Sequence, residues 1–189
     1  MSDTATRVRV AVLVGSLRTE SINRGLAEMV RDHAPEHVEV EIIEGLDRLP
    51  YFNEDDDGDV LAPAAVALRE TVGRADCVLV VTPEYNGSMP GLIKNAIDWL
   101  SRPYGSSVLT GMPLAVAGAT PTPYGGRWAH EDVARSAAVA GAAVVQDATV
   151  SQSTIGTDVT GDEHVRERFL GCLEALLAFA AVGAEGAVA

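Results

Sequence analysis

Residues 77–100 read CVLVVTPEYNGSMPGLIKNAIDWL. Cys77–Thr82 opens with an unbroken apolar run rich in valine, the composition of a strand buried on both faces. Two prolines, Pro83 and Pro90, and two glycines, Gly87 and Gly91, then make a stiff loop that presents its backbone groups at fixed positions. Beyond it Leu92, Ala96 and Trp99 share one side of a helix predicted over Gly91–Leu100. A buried strand, a rigid loop and an amphipathic helix together form the repeating unit of a parallel sheet.

The same unit recurs on both sides of this stretch. Upstream, Val8–Val14 predicts a strand, and Ile22, Leu26, Met29 and Val30 recur at helical spacing after it. Val38–Ile43 predicts a second strand. A loop from Gly45 to Gly58 carries the acidic run Glu54–Asp57, and a helix fits Pro63–Gly73, with Pro63 in its first turn. Downstream come a fourth strand at Leu114–Ala119 and a helix at Trp128–Ala140. A fifth strand at Ala143–Val150 is interrupted by Gln146 and Asp147, and a last helix spans Val165–Val182. The tail, residues 183–189, is expected to fray. This β-α alternation predicts α/β architecture: one domain over residues 1–189, a doubly wound five-stranded parallel sheet of order 2-1-3-4-5, and helices on both faces in a three-layer sandwich. Ligands of such sheets sit at the carboxyl ends of the strands, so the loops after strands one, three and four are the ones to read.

Composition narrows the function. A chain of 189 residues with 47% hydrophobic residues can bury a core, and a net charge of −13, from 14 Lys and Arg against 27 Asp and Glu, argues against nucleic acid or an anionic membrane surface as partner. Acidity of this kind mostly serves solubility. The two cysteines, Cys77 and Cys172, sit in apolar surroundings without metal-binding spacing and read as buried thiols. His33, His37, His130 and His164 show no metal spacing either, and all four are expected at the surface. No signal-like leader and no membrane-length apolar run is present, so the expected compartment is the cytoplasm.

The loop after the first strand is Gly15-Ser16-Leu17-Arg18-Thr19-Glu20-Ser21-Ile22-Asn23. Ser21 is a candidate N-cap, and the helix start offers free backbone N–H groups beside several hydroxyls, Asn23 and one guanidinium. That is an anion site suited to a phosphate monoester; the plainer alternative is a capped helix with a surface arginine. Neither a dinucleotide fingerprint nor a Walker loop is present. After the third strand, Pro83–Gly91 holds Glu84, Tyr85 and Asn86 on a rigid frame, where Tyr85 can meet the face of a planar ring. The alternative there is a structural turn with Tyr85 packed for its own sake.

Together these loops resemble the NADPH-dependent FMN reductases, a flavodoxin-like family that includes quinone, chromate and azo-dye reductases. The pattern GSxRxxSxN falls on Gly15–Asn23. The pattern PEYNxSxPGxxKNxxDW falls on Pro83–Trp99, and LPxxNxD on Leu49–Asp55. The likeness spans roughly residues 8 to 150. It implies an FMN phosphate site at Ser16, Arg18, Ser21, Ile22 and Asn23. It implies a flavin-ring loop at Pro83, Glu84, Tyr85, Asn86 and Gly87, and further contacts from Thr120, Tyr124 and Gly125 in a fourth-strand loop that is less typical of the family. It also implies NADPH or NADH as co-substrate, a small-molecule electron acceptor, and a homodimer or homotetramer with Asn53 near the partner's flavin. No catalytic side chain and no metal are expected, because the flavin carries the chemistry. Two other readings of the same fold stay open: a flavodoxin-type electron carrier that does not oxidise nicotinamide itself, and a cofactor-free regulatory or scaffold domain.

Overall fold

Alternation along the first strand builds both halves of the core. In β1 (Val8–Val14), Val10, Val12 and Val14 contribute to one buried cluster, while Ala11 and Leu13 belong to the other, as successive residues of a strand must. The computed structural model describes residues 7–58 and 60–186. Within them β1 pairs in parallel with β2 (Val38–Ile42) and β3 (Cys77–Val81), with Val12 opposite Ile42 and Leu79. β3 pairs in turn with β4 (Pro113–Thr120).

Helices α1 (Ile22–His33) and α5 (Glu163–Gly186) cover one face, where Leu26, Val30, Phe169, Leu173 and Leu176 are buried against β1, β3 and β4. Helices α2 (Pro63–Gly73), α3 (Gly91–Leu100) and α4 (Arg127–Val139) cover the other, through Leu68, Val72, Ile93, Trp99, Val133 and Ala137. The order β2-β1-β3-β4-β5 is the doubly wound one. Among the described residues, no helix is long and apolar enough to cross a membrane.

The fifth strand departs from the sequence expectation. It is two pieces beside the same partner: β5 (Ala143–Val144) pairs with Pro113 and Leu114, and β6 (Val150–Ser153) pairs with Ala117–Thr120. Between them Gln146–Ala148 forms a 3-10 turn. The reason is polar: Gln146 and Asp147 would be buried in a continuous strand, and the turn lifts both to the surface. Ala148 stays inside, where its carbonyl accepts from Cys172 Sγ at 2.8 Å. The chain therefore re-enters the sheet and runs beyond Val150, which matters at the site below.

Helix α5 runs to Gly186, and residues 187–189 lie outside the described residues. The acidic run Glu54–Asp57 is tied into the fold. Glu54–Asp56 forms a 3-10 turn, Arg69 Nη2 donates to Asp57 Oδ1 at 2.7 Å, and Arg102 pairs with Glu54.

Candidate functional site

Three loops leave the carboxyl ends of β1, β3 and β4 and meet around one cavity. In the first, Ser21 adopts an extended backbone (φ −80°, ψ 116°) and its hydroxyl accepts from Arg24 N at 3.2 Å, the geometry of an N-cap. The N–H groups of Ile22 and Asn23, in the first turn of α1, have no acceptor within the helix. Arg18 is exposed and, among the described residues, makes no ion pair. Asn23 is different. Its side chain donates to Ala119 O at 2.9 Å and accepts from Ala119 N at 2.8 Å. Both halves of the buried amide are spent on tying α1 to the end of β4, so its contribution to an anion would come from the backbone and not, as expected, from the side chain.

The second loop is a tight reversal. Asn86 (φ 54°) and Gly87 (φ 74°) both lie in the left-handed region, and Tyr85 and Ser88 exchange backbone hydrogen bonds at 3.0 and 3.1 Å, the pattern of a primed hairpin turn. Helix α4 anchors both shoulders of the turn. Ser88 Oγ donates to Asp132 Oδ2 at 2.6 Å, a bond that, with help from Arg135, holds the Asp132 carboxyl below its usual range. Glu84 Oε2 accepts from the N–H groups of Trp128 and Ala129 at 3.1 and 3.3 Å. Because the N-cap position of α4 is Gly126, which has no side chain, Glu84 supplies the missing cap and meets the positive end of the helix. Its carboxylate thus serves the scaffold, while its backbone N–H donates to Thr120 Oγ1 at 2.9 Å.

The third loop begins at Thr120, whose carbonyl accepts from Thr122 N and Thr154 N. Gly125 (φ 62°) then passes so close to β6 that a Cβ there would sit 2.6 Å from Gln152 backbone atoms. Only glycine allows that approach.

The loops enclose a cavity of about 310 Å³, within the usual range for ligand sites. Of the residues expected at a flavin, Ser16, Arg18, Ser21, Ile22, Asn23, Pro83, Glu84, Tyr85 and Thr120 line it. Asn86 and Gly87 form the turn beside it, Gly125 packs on β6, and Tyr124 stacks on Trp128 at 5.3 Å; these four are not in its lining. A second bay of about 400 Å³ shares Arg18 and Tyr85 with the first and reaches Leu17 and Leu92. Larger cavities exist, about 540 Å³ between α3 and α4 and about 620 Å³ beside β2 and α2. Volume does not select the site; the free N–H groups, the unpaired guanidinium and the rigid loop do.

A model of the NADPH-dependent FMN reductase family matches residues 8–156, most of the chain and all three loops. The chain belongs to the NADPH-dependent FMN reductase family. Its relatives include a quinone reductase of Pseudomonas putida, 46% identical over 127 residues that cover 67% of this chain and 68% of that one. Another is an NAD(P)H-dependent FMN reductase of Pseudomonas aeruginosa, 36% identical over 62% of this chain and 63% of its own length. Among solved structures, FerB of Paracoccus denitrificans, a flavoenzyme NAD(P)H:(acceptor) oxidoreductase, superposes with a TM-score of 0.81 at 31% identity, covering 92% of this chain and 97% of that one. The protein is accordingly an oxidoreductase that uses FMN and NAD(P)H.

This FMN reductase presents groups that fit such a cofactor. Besides the free helix start and Arg18, the hydroxyl of Thr122 is buried at the cavity and, among the described residues, has no hydrogen-bond partner. Neither Thr122 nor Thr154, which also lines the cavity, was singled out from the sequence. Thr154 was out of reach because the fifth strand was expected to end at Val150. The interruption at Gln146 and Asp147 was the signal for that break.

His130 overturns its surface expectation. It is 1% exposed, with Nε2 3.0 Å from Thr82 O and Nδ1 2.7 Å from Ser151 Oγ. A carbonyl can only accept, so Nε2 carries the proton and Nδ1 accepts from the serine. Burial keeps the imidazole below its ordinary pKa, partly offset by the Thr82 carbonyl and by Glu84. His33, His37 and His164 are exposed, as expected. The remaining motif residues are structural. Asn95 Nδ2 and Trp99 Nε1 both donate to Pro50 O at 2.9 Å, Asn95 Oδ1 accepts from Phe52 N at 2.8 Å, and Lys94 pairs with Asp98. Asn95 and Trp99 fasten the Leu49–Asp55 segment to α3, while the Lys94–Asp98 pair lies within the helix. Asn53 Oδ1, there, accepts from Asp55 N.

Proposed function

We propose that this protein binds FMN across the three-loop cavity, oxidises a nicotinamide there, and delivers the electrons to quinones or other small acceptors. The observation that supports it is the meeting, in one cavity, of an open helix start beside Arg18 with the braced Pro83–Tyr85 segment. Bound FMN would supply the two-electron chemistry, taking a hydride from the nicotinamide and releasing electrons to the acceptor. The chain's own residues bind and orient. Ser16, Arg18 and Ser21, with the N–H groups of Ile22 and Asn23, take the phosphate. Pro83–Tyr85 and Thr120, which line the cavity, would hold the ring, and Asn86, Gly87, Tyr124 and Gly125 brace the loops that carry them. The bay bounded by Leu17, Tyr85 and Leu92 gives nicotinamide and acceptor in turn a half-apolar seat.

The name of the Pseudomonas putida relative supports quinones as the acceptor class, ahead of chromate, azo dyes or free flavin. Exposed Tyr104 and Val139 around the α3–α4 cavity support assembly into a homodimer or tetramer through those helices, checked by sedimentation. Use of NAD(P)H together with two free buried thiols supports a cytoplasmic location.

The decisive experiment is a visible spectrum followed by anaerobic addition of NADPH or NADH. The expected protein is yellow, bleaches on either nicotinamide, and regains colour when a benzoquinone is added. A yellow protein that both nicotinamides leave unbleached is a carrier of flavodoxin type. A colourless one that takes up no FMN has a different function.

A further inference from the structure

The pairing of β3 with β4 ends where the cavity begins, and side chains cap the backbone groups that would have continued it. The last bond of the ladder runs from Thr82 N to Ala117 O at 2.9 Å. In a parallel pair the next bonds would run from Ala119 N to Thr82 O and from Glu84 N to Ala119 O. Instead Asn23, from α1 on one face of the sheet, takes both Ala119 groups, and Thr120 Oγ1 takes Glu84 N. Thr82 O accepts from His130 Nε2 at 3.0 Å, from α4 on the other face. The two strands part at this point. The residues just beyond it, Pro83–Tyr85 and Ala119–Thr122, line the cavity.

His130 does not line that cavity, yet its place is reserved. A Cβ at Gly118 would fall 2.8 Å from its Nε2, and one at Gly126 3.2 Å from it. Ser151 Oγ, from β6, donates to Nδ1 at 2.7 Å and so keeps the ring proton on Nε2, facing Thr82. Pro83 has no N–H, so the Thr82 carbonyl is the point at which the root of the loop can be gripped before Glu84.

We infer that His130 is a positioning residue: by holding the Thr82 carbonyl off β4 it sets the width of the cleft between Pro83–Tyr85 and Ala119–Thr122, and with it the fit of the flavin ring. This rests on the functional reading above. His130 touches no cofactor and transfers no proton. Without its N–H the Thr82 carbonyl is buried and unpaired, a costly state, and the donor that ladder geometry offers is Ala119 N. Capture of that group draws the strands together where the ring needs them apart. The phosphate end belongs to the segment after β1, which His130 does not fasten.

The test compares His130→Leu and His130→Met, which fill the space without a donor, with His130→Gln, whose amide can still donate to Thr82. Met is the more adaptable of the two apolar replacements and serves if Leu does not fold. Flavin-free proteins, checked for native circular dichroism, are titrated with FMN and separately with riboflavin, read by flavin fluorescence. For Leu or Met the expected rise in Kd is about 5- to 10-fold for both flavins alike, the worth of one hydrogen bond. His130→Gln should bind both as the wild type does. Once saturated with FMN, the Leu or Met variant should also be bleached by NADH more slowly than the Gln variant. A lower melting temperature with both affinities at the wild-type level makes His130 merely structural and overturns the inference. A loss confined to FMN overturns it, as does a Gln variant no better than Leu or Met. If the wild-type protein binds neither flavin, the functional reading itself has failed, a result distinct from all of these.

Discussion

At the scale of single residues, charge state and hydrogen-bond saturation separate the groups free to act from those already committed. Among the described residues Arg18 is the cation at the cavity that makes no ion pair, whereas Glu84, Asn23 and Thr120 are each already engaged by the scaffold. Arg18→Ala should therefore weaken FMN by about 1.5–3 kcal/mol, roughly 10- to 150-fold in Kd, the worth of a charge-assisted hydrogen bond. Riboflavin, which lacks the phosphate, should bind the variant as it binds the wild type. An FMN dissociation constant indistinguishable from wild type would remove Arg18 from the site. The two thiols sit at the opposite extreme: burial pushes Cys77 and Cys172 up to about 12, so neither is a nucleophile at neutral pH.

Elements meet at the site through a few bonds between segments far apart in sequence. The amide of Asn23 is the clearest, joining the first turn of α1 to the last residues of β4 with two buried bonds. Asn23→Ala leaves Ala119 N and O without partners in the interior, at an expected cost of about 2–4 kcal/mol in urea unfolding. A cost within experimental error would show that the clamp contributes nothing. The hairpin loop after β3 is held the same way, since Glu84 and Ser88 fasten it to α4. Gly118 permits the tight packing beneath: a Cβ there would fall 1.9 Å from Thr82 O and 2.8 Å from His130 Nε2.

For the whole molecule, His130 couples folding to pH. It joins the end of β3, α4 and β6 and is held neutral by burial, below its ordinary value near 6.5. The unfolded chain takes up a proton near that value while the folded one does not, so stability is complete above it and falls as pH is lowered toward the folded value. Between pH 7.5 and 5.5 the wild type should lose stability with a slope of up to about 1.4 kcal/mol per pH unit from this group. His130→Gln should flatten that component while its amide keeps a donor for Thr82. Superimposable urea midpoint profiles for the two proteins would count against this account. Much of the architecture was legible in the chain itself, because the period-two and helical patterns of apolar residues are local and each strand carried its own. The sheet order and the three loops followed from that alternation, and the family motifs placed Arg18, Ser21 and Tyr85 where the cavity formed. Folding alone decided which polar groups stay free. The commitment of Asn23 to Ala119, of Glu84 to α4 and of His130 to Thr82 spans dozens of residues in each case, and the split fifth strand that brings Thr154 to the cavity depends on where Gln146 and Asp147 can reach water. Hydrogen-bond partners are chosen by proximity in space, which a residue's sequence neighbours do not encode.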